Sequence, residues 1–216
     1  MKVDIWSDVR CPFCYIGKRK FEMALEKFAH KDEVEVEWHS FELDPDMVTK
    51  PGVNAIDYLA QIKGQPREWA AEMNQRVTDT AAEVGLTFNM ESGVVANSFN
   101  AHRLIQLAKS NGLGNEIEEK LFVDYFTAGK NIDDHLVLIE AGVSVGLDRL
   151  AIEMMLNGDS FTDEVRMDQK VAQQIGIQGV PFFVFNQQLA VSGAQPPETF
   201  LGAMEQAWTK QKIADV

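Results

Sequence analysis

The sequence predicts an α/β protein in which a large helical domain is inserted between an N-terminal βαβ unit and a C-terminal ββα unit. Three observations carry this expectation. Residues 2–41 read as strand, helix and strand. Residues 181–210 read as two strands and a helix. Between them, from about Ala55 to Gln174, the apolar residues recur at helical spacing.

Lys2 to Ser7 alternates polar and apolar residues, with Val3 and Ile5 on one face, and forms the first strand of the prediction. A helix follows over residues 12–29, with Phe21, Leu25 and Phe28 on one stripe. Pro12 suits its first turn, where no amide partner is needed. Gly17 weakens this helix by roughly 1 kcal/mol relative to Ala, a cost that a close backbone or ligand approach would explain. Residues 33–41 form the second strand, Val34, Val36 and Trp38 alternating with Glu35, Glu37 and His39. Two strands joined by a helix make a parallel, right-handed crossover.

The inserted block is read as helices over 54–63, 66–84, 97–110, 115–128, 133–145, 148–156 and 161–175, mostly closed by glycines and without a sequence repeat. Asn97 is the expected cap of the third. Phe182 to Phe185 is a buried-looking strand, Asn186-Gln187 a short turn, and 188–192 a second, antiparallel strand. Pro196 then opens a last helix with Phe200, Met204 and Trp208 on one face. The expected domains are 1–50 with 176–216, and 51–175; the helix over 161–175 is assignable to either.

The chain has 216 residues, 45% of them hydrophobic, enough for a core. Its net charge of −13 disfavours nucleic acid, whose binding rests on Lys and Arg at phosphates. No run approaches the ~18 apolar residues of a membrane span, so no membrane partner is expected. The first residues do not read as a signal peptide, and the expected location is cytoplasmic.

Cys11 and Cys14 are the only cysteines, spaced as a Cys-x-x-Cys pair between a strand and a helix. In a reducing compartment such a pair is more often catalytic or metal-binding than structural. A sulfur just before a helix faces unpaired amides and the positive end of the helix dipole, which favours thiolate over thiol. Cys11 is therefore the expected nucleophile and Cys14, one turn in, the more buried resolving thiol. Pro12 and Phe13 add no charge between them. Asp8 is either a loop cap or a proton acceptor for the resolving thiol. A zinc site at the pair would need further ligands, and His30, His39, His102 and His135 are scattered, so no metal is expected. Two inert cysteines are the other alternative.

The order of strand, Cys11-Pro12-Phe13-Cys14-Tyr15 and then Gly179-Val180-Pro181 before a hairpin resembles the DsbA family of thioredoxin-fold oxidoreductases. Cys-Pro-Phe-Cys-Tyr-Ile-Gly and Asn97-Ser98-Phe99-Asn100-Ala101-His102-Arg103-Leu104 resemble its FrnE-like branch. The resemblance implies a thioredoxin-like fold, a cis Pro181 against the dithiol, and a Val180 backbone that binds substrate polypeptide like an added strand. It implies thiol–disulfide exchange with polypeptide or small-thiol substrates and no cofactor beyond the cysteine pair. Periplasmic DsbA-type oxidants usually carry His between the cysteines; here Phe13 fills that slot as a candidate substrate contact.

Kappa-class glutathione transferases and 2-hydroxychromene-2-carboxylate isomerases are similar in fold and typically have Ser where this chain has Cys11. They suggest Gln195 as a contact for glutathione, and a glutathione-dependent isomerase or transferase as the alternative function. A non-enzymatic binding module is the third reading. Asn97 and His102 are candidate supporting positions, with Pro12 and Asp8.

Overall fold

The computed structural model describes residues 1–214. In chain order the elements are β1 (Lys2–Ser7), α1 (Pro12–Leu25), β2 (Glu35–Ser40), β3 (Lys50–Asn54), α2 (Ala55–Lys63), α3 (Arg67–Ala82), β4 (Val94–Val95), α4 (Phe99–Lys109), α5 (Gly114–Phe122), α6 (His135–Ser144), α7 (Arg149–Asn157), α8 (Thr162–Gln174), β5 (Phe182–Phe185), β6 (Leu189–Ser192) and α9 (Pro197–Ala214). They divide into two compact units: Met1–Leu43 with the chain from Arg166 onward, and Asp44–Val165. These divisions fall earlier than 50/51 and 175/176. Most of α8 belongs to the first unit because Val171 and Ala172 pack with Trp6 and Ile177.

The first unit is a thioredoxin-like sheet ordered β2-β1-β5-β6. β1 pairs parallel with β2, as a βα-crossover requires, and antiparallel with β5. The β5–β6 hairpin turns through residues 186–188, with Asn186 and Gln187 at positive φ (48° and 56°) and the Gln188 N–H donating to the Phe185 carbonyl at 3.0 Å. Asn186 also accepts the Lys2 N–H on its side-chain oxygen at 2.8 Å, extending the β1 edge.

Alternation gives the sheet two faces. Val3, Ile5, Trp38, Phe183 and Phe185 pack with Phe21 of α1 and Phe200 of α9. Phe183 and Phe200 meet edge-on with centroids 4.6 Å apart. Each such buried side chain contributes roughly 1.5–3 kcal/mol. Trp6, Phe182 and Val184 line the other face, against α8.

Three expectations shift locally. The first helix ends at Leu25, not at 29, because the Lys27 and Phe28 N–H groups bond back to Ala24 and Leu25 in a tightened turn; Phe28 still reaches the core. In the second unit, the helix expected to 128 ends at Phe122 and passes into a wider π-type turn over Val123–Thr127. That unit also contains an antiparallel pair that the sequence reading lacks: β3 lies just before the helical block and β4 in the gap between the helices expected over 66–84 and 97–110. β4 has two residues and β3 carries Pro51 and Gly52, so neither shows a strand period. No helix among the described residues is long and apolar enough to cross a membrane.

Candidate active site

The dithiol sits where β1 hands over to α1. Cys11 is the N-cap residue of α1, in extended backbone, with Pro12 opening the helix. Its N–H donates to the Asp8 carbonyl at 2.9 Å, and the Cys14 N–H donates to the Cys11 carbonyl at 3.0 Å. These bonds hold both sulfurs at the amide-rich end of the helix. Both cysteines are free thiols, Cys11 5% exposed and Cys14 1%. Phe13 between them stands out at 44%.

Asp8 is the loop's internal tie. It is fully buried, and its carboxylate accepts the Arg10 N–H at 3.0 Å and the Leu43 N–H at 2.9 Å. Through these bonds Asp8 caps the loop. They clamp the approach to Cys11 onto the chain leaving β2.

The far segment arrives as follows. The Val180–Pro181 peptide is cis. The Cys11 thiol points at the Val180 carbonyl, Sγ to O 3.6 Å. The Pro181 carbonyl accepts the Gly193 N–H at 2.8 Å, so β6 anchors this loop from its other side. Gly17 makes room for it: a Cβ there would lie 2.8 Å from Pro181 Cγ. The sequence expectation of a close approach at Gly17 thus finds its partner in Pro181.

Gln195 stands apart from the sulfurs in the turn before α9. Its side-chain amide donates to the Ser192 carbonyl at 2.9 Å, and the side chain is exposed. Lys20 of α1 reaches the neighbouring Ala194 carbonyl at 3.2 Å. Asn97 and His102 belong to the second unit. Asn97 is a loop tie there: it donates to the Met47 carbonyl at 2.7 Å and accepts the Phe99 N–H at 2.7 Å. α4 accordingly begins at Phe99 with Ser98 as its cap residue, not at Asn97. His102 is buried on α4, its backbone N–H on the Ser98 carbonyl at 2.9 Å.

Two residues near the dithiol went unread in the sequence. Ser7, the last residue of β1, is buried and its side chain hydrogen-bonds to Cys14. Its place at the end of β1, just ahead of the Cys-x-x-Cys loop, was the available signal. Lys18 is 1% exposed on α1, its ammonium paired with Glu22 at 2.5 Å. The i, i+4 spacing of the pair was visible, but its burial was not.

Burial raises the Cys14 thiol well above its ordinary value, and the adjacent Cys11 sulfur pushes the same way; the Asp8 backbone and the Ser7 side chain pull against them. Cys14 is therefore a protonated thiol at neutral pH. Because its folded value is raised, the unfolded chain gives up this proton first. The associated stability is complete below the ordinary thiol range of about 8.5 and is lost as pH climbs from there toward the folded value. Urea unfolding of the reduced protein between about pH 7 and about pH 9.5 should show this loss. Cys14→Ala should flatten the slope; equal slopes would assign the alkaline loss to another group.

The chain is similar to known proteins over nearly its whole length. The model of the DSBA-like thioredoxin domain matches residues 2–205. The crystal structure of a probable DsbA oxidoreductase from Streptomyces coelicolor is similar, at 37% identity and a TM-score of 0.91, over 97% of this chain and 90% of that one. An uncharacterized Bacillus subtilis protein, YwbO, is 28% identical over 97% of this chain and 98% of its own. A 2-hydroxychromene-2-carboxylate isomerase has the same fold, with a TM-score of 0.68 at 14% identity, over 100% of this chain and 98% of that one. With a family model that spans nearly the whole chain, the protein belongs to the DSBA-like thioredoxin domain family of thioredoxin-fold oxidoreductases.

Proposed function

We propose that this protein is a thiol–disulfide oxidoreductase that exchanges disulfides with polypeptide or small-thiol substrates through Cys11 and Cys14. The observation that carries the reading is the asymmetry of the pair. Cys11 occupies the N-cap position of α1 and its thiol points at the Val180 carbonyl 3.6 Å away, while Cys14, one turn further in, is a thiol whose pKa burial raises. That asymmetry supports Cys11 as the attacking sulfur and Cys14 as the resolving one.

In the reducing direction, the Cys11 thiolate attacks one sulfur of a substrate disulfide. The substrate S–S bond breaks, a mixed disulfide forms, and the departing sulfur takes up a proton. Cys14 then loses its proton and attacks the Cys11 sulfur. The second substrate thiol leaves, and the two electrons gained by the substrate have come from the dithiol. Oxidation is the same path reversed. Glutathione enters this scheme as a small-thiol substrate, and no further cofactor is required. Exposed Phe13 offers an apolar contact to an unfolded segment, and the Val180–Pro181 backbone offers a strand-like one. A cytoplasmic, reducing setting suits a chain whose two cysteines both serve the chemistry.

The glutathione-dependent isomerase reading has less support, because the Gln195 amide is engaged by Ser192 and Cys11 stands where that chemistry typically has Ser. Reduction of insulin with glutathione or dithiothreitol as electron source tests the proposal. Acceleration that vanishes in the Cys11→Ser, Cys14→Ser double variant is the expected result. Absence of both insulin reduction and scrambled-disulfide refolding, with isomerisation of an aromatic substrate retained in Cys11→Ser, would transfer the assignment to the isomerase.

A further inference from the structure

The sheet face turned toward α8 carries an ionic cluster that the thiol chemistry does not use. Asp4 on β1 stands opposite Glu37 on β2, and Trp6 opposite His39. Since Val3, Ile5 and Trp38 face α1 and α9, strand alternation turns Asp4, Glu37 and His39 to the opposite side. A carboxylate oxygen of Asp4, one of Glu37 and a ring nitrogen of His39 all lie within 4.8 Å of one another.

The histidine is fixed from behind. Its Nδ1 lies 2.8 Å from Asp168 Oδ1 on α8, and the other oxygen of Asp168 accepts the Ser40 N–H at 2.8 Å. The ring stacks on Trp6, with centroids 4.5 Å apart. Its Nε2 consequently faces Asp4 Oδ1 at 2.9 Å and Glu37 Oε1 at 4.0 Å. An imidazole held by a carboxylate at one nitrogen, with the other aimed at acidic oxygens, is the arrangement by which metal-binding histidines are oriented.

A second observation shows which charge this place attracts. The Lys2 ammonium lies between the two carboxylates, 2.5 Å from Glu37 Oε2 and 3.0 Å from Asp4 Oδ1. The Lys2 side chain is 40% exposed, so it can swing into water and vacate the position. Beside the cluster opens a cavity of ≈ 530 Å³ lined by Trp6, Val171, Ile175, Phe182, Val184 and Leu189.

We propose that Asp4, Glu37 and His39 bind a first-row divalent cation of the zinc class, with Asp168 as the residue that positions His39 and with the remaining coordination position open to the cavity. One nitrogen and two carboxylate oxygens suit such a borderline cation. Tetrahedral ligands about 2.0–2.2 Å from zinc lie about 3.5 Å apart, so binding requires the 2.9 Å His39–Asp4 contact to open and the 4.0 Å His39–Glu37 contact to close, each by about half an ångström. The sequence expectation of no metal rested on scattered histidines. Pairing of β1 with β2 gathers carboxylates around one of them.

The test is calorimetric titration of Co2+ and Zn2+ into the Cys11→Ser, Cys14→Ser double variant, in which no thiol competes. One equivalent should bind with a roughly micromolar Kd, and Co2+ should give an absorption band without sulfur charge transfer. Lys2→Met should tighten binding about tenfold by removing the competing ammonium. Asp168→Asn should weaken it about 10–100-fold. Glu37→Gln, on the edge strand with its side chain 33% exposed, should weaken it without unfolding the sheet. No stoichiometric binding by about 100 µM metal, or equal affinity in the parent, Lys2→Met and Glu37→Gln proteins, would overturn the proposal.

Discussion

Replacement of Cys11 by Ser is expected to reduce disulfide exchange to the uncatalysed level, whereas Cys14→Ser should leave the first attack intact and arrest the second. The hydroxyl of Ser is not ionised at neutral pH and cannot form the S–S bond, so no mixed disulfide begins. With Cys14 replaced, the Cys11–substrate disulfide has no internal sulfur to resolve it and accumulates. Mass spectrometry of each variant after incubation with an oxidised peptide or glutathione disulfide separates the two outcomes. A stable adduct is expected on Cys14→Ser and none on Cys11→Ser. The raised pKa of the Cys14 thiol predicts the same order for alkylation, Cys11 before Cys14. Adduct on Cys11→Ser instead would exchange the two roles.

Gly17→Ala should impair exchange more than it impairs folding, and Gly17→Val should impair both. The added Cβ would stand 2.8 Å from Pro181 Cγ and 3.5 Å from Phe183 Cζ. Carbon atoms pack best at about 3.5–4.0 Å. Phe183 is locked among Phe21 and Phe200, so the Pro181 loop is the part that yields. For Ala, overpacking of about 1–3 kcal/mol is partly offset by a gain of roughly 1 kcal/mol in helix propensity. A displaced Val180–Pro181 segment should nevertheless slow exchange by about 10–100-fold, because the substrate platform and the Cys11 sulfur lose their register. Val adds further bulk and no comparable helix gain, so its urea midpoint should fall clearly. Unchanged exchange in Gly17→Ala would show that the contact with Pro181 does not position the site.

Much of this arrangement was legible along the chain. The alternation of Val3 and Ile5, then of Val34, Val36 and Trp38, fixed which side of each strand is buried. Parallel pairing of β1 with β2 followed from the helix between them. Pro12 and the two cysteines marked the helix start, and the segment ending in Pro181 marked the start of the hairpin. These readings held because each depends on a short, local period or on one residue with a single conformational use. The strand pair β3–β4 did not show, since two residues cannot display a period and Pro51 with Gly52 reads as loop. The cap of α4 slipped by one residue because Asn97 bonds the Phe99 amide from just outside the helix.

What the sequence by itself determined, then, is the α/β order and a dithiol at a helix start, with Cys11 at the N-cap position and Cys14 one turn further in. Those follow from neighbours in the chain. Only the tertiary structure decided that Gly17 is the seat of Pro181, that the Cys11 thiol meets the Val180 carbonyl, and that Ser7 touches Cys14. It alone decided that Asp8 ties its loop to Leu43, and that Asp4, Glu37, His39 and Asp168 share one face. Each of these joins residues from different elements, whose distances are set by sheet order and helix packing and not by their spacing in the chain.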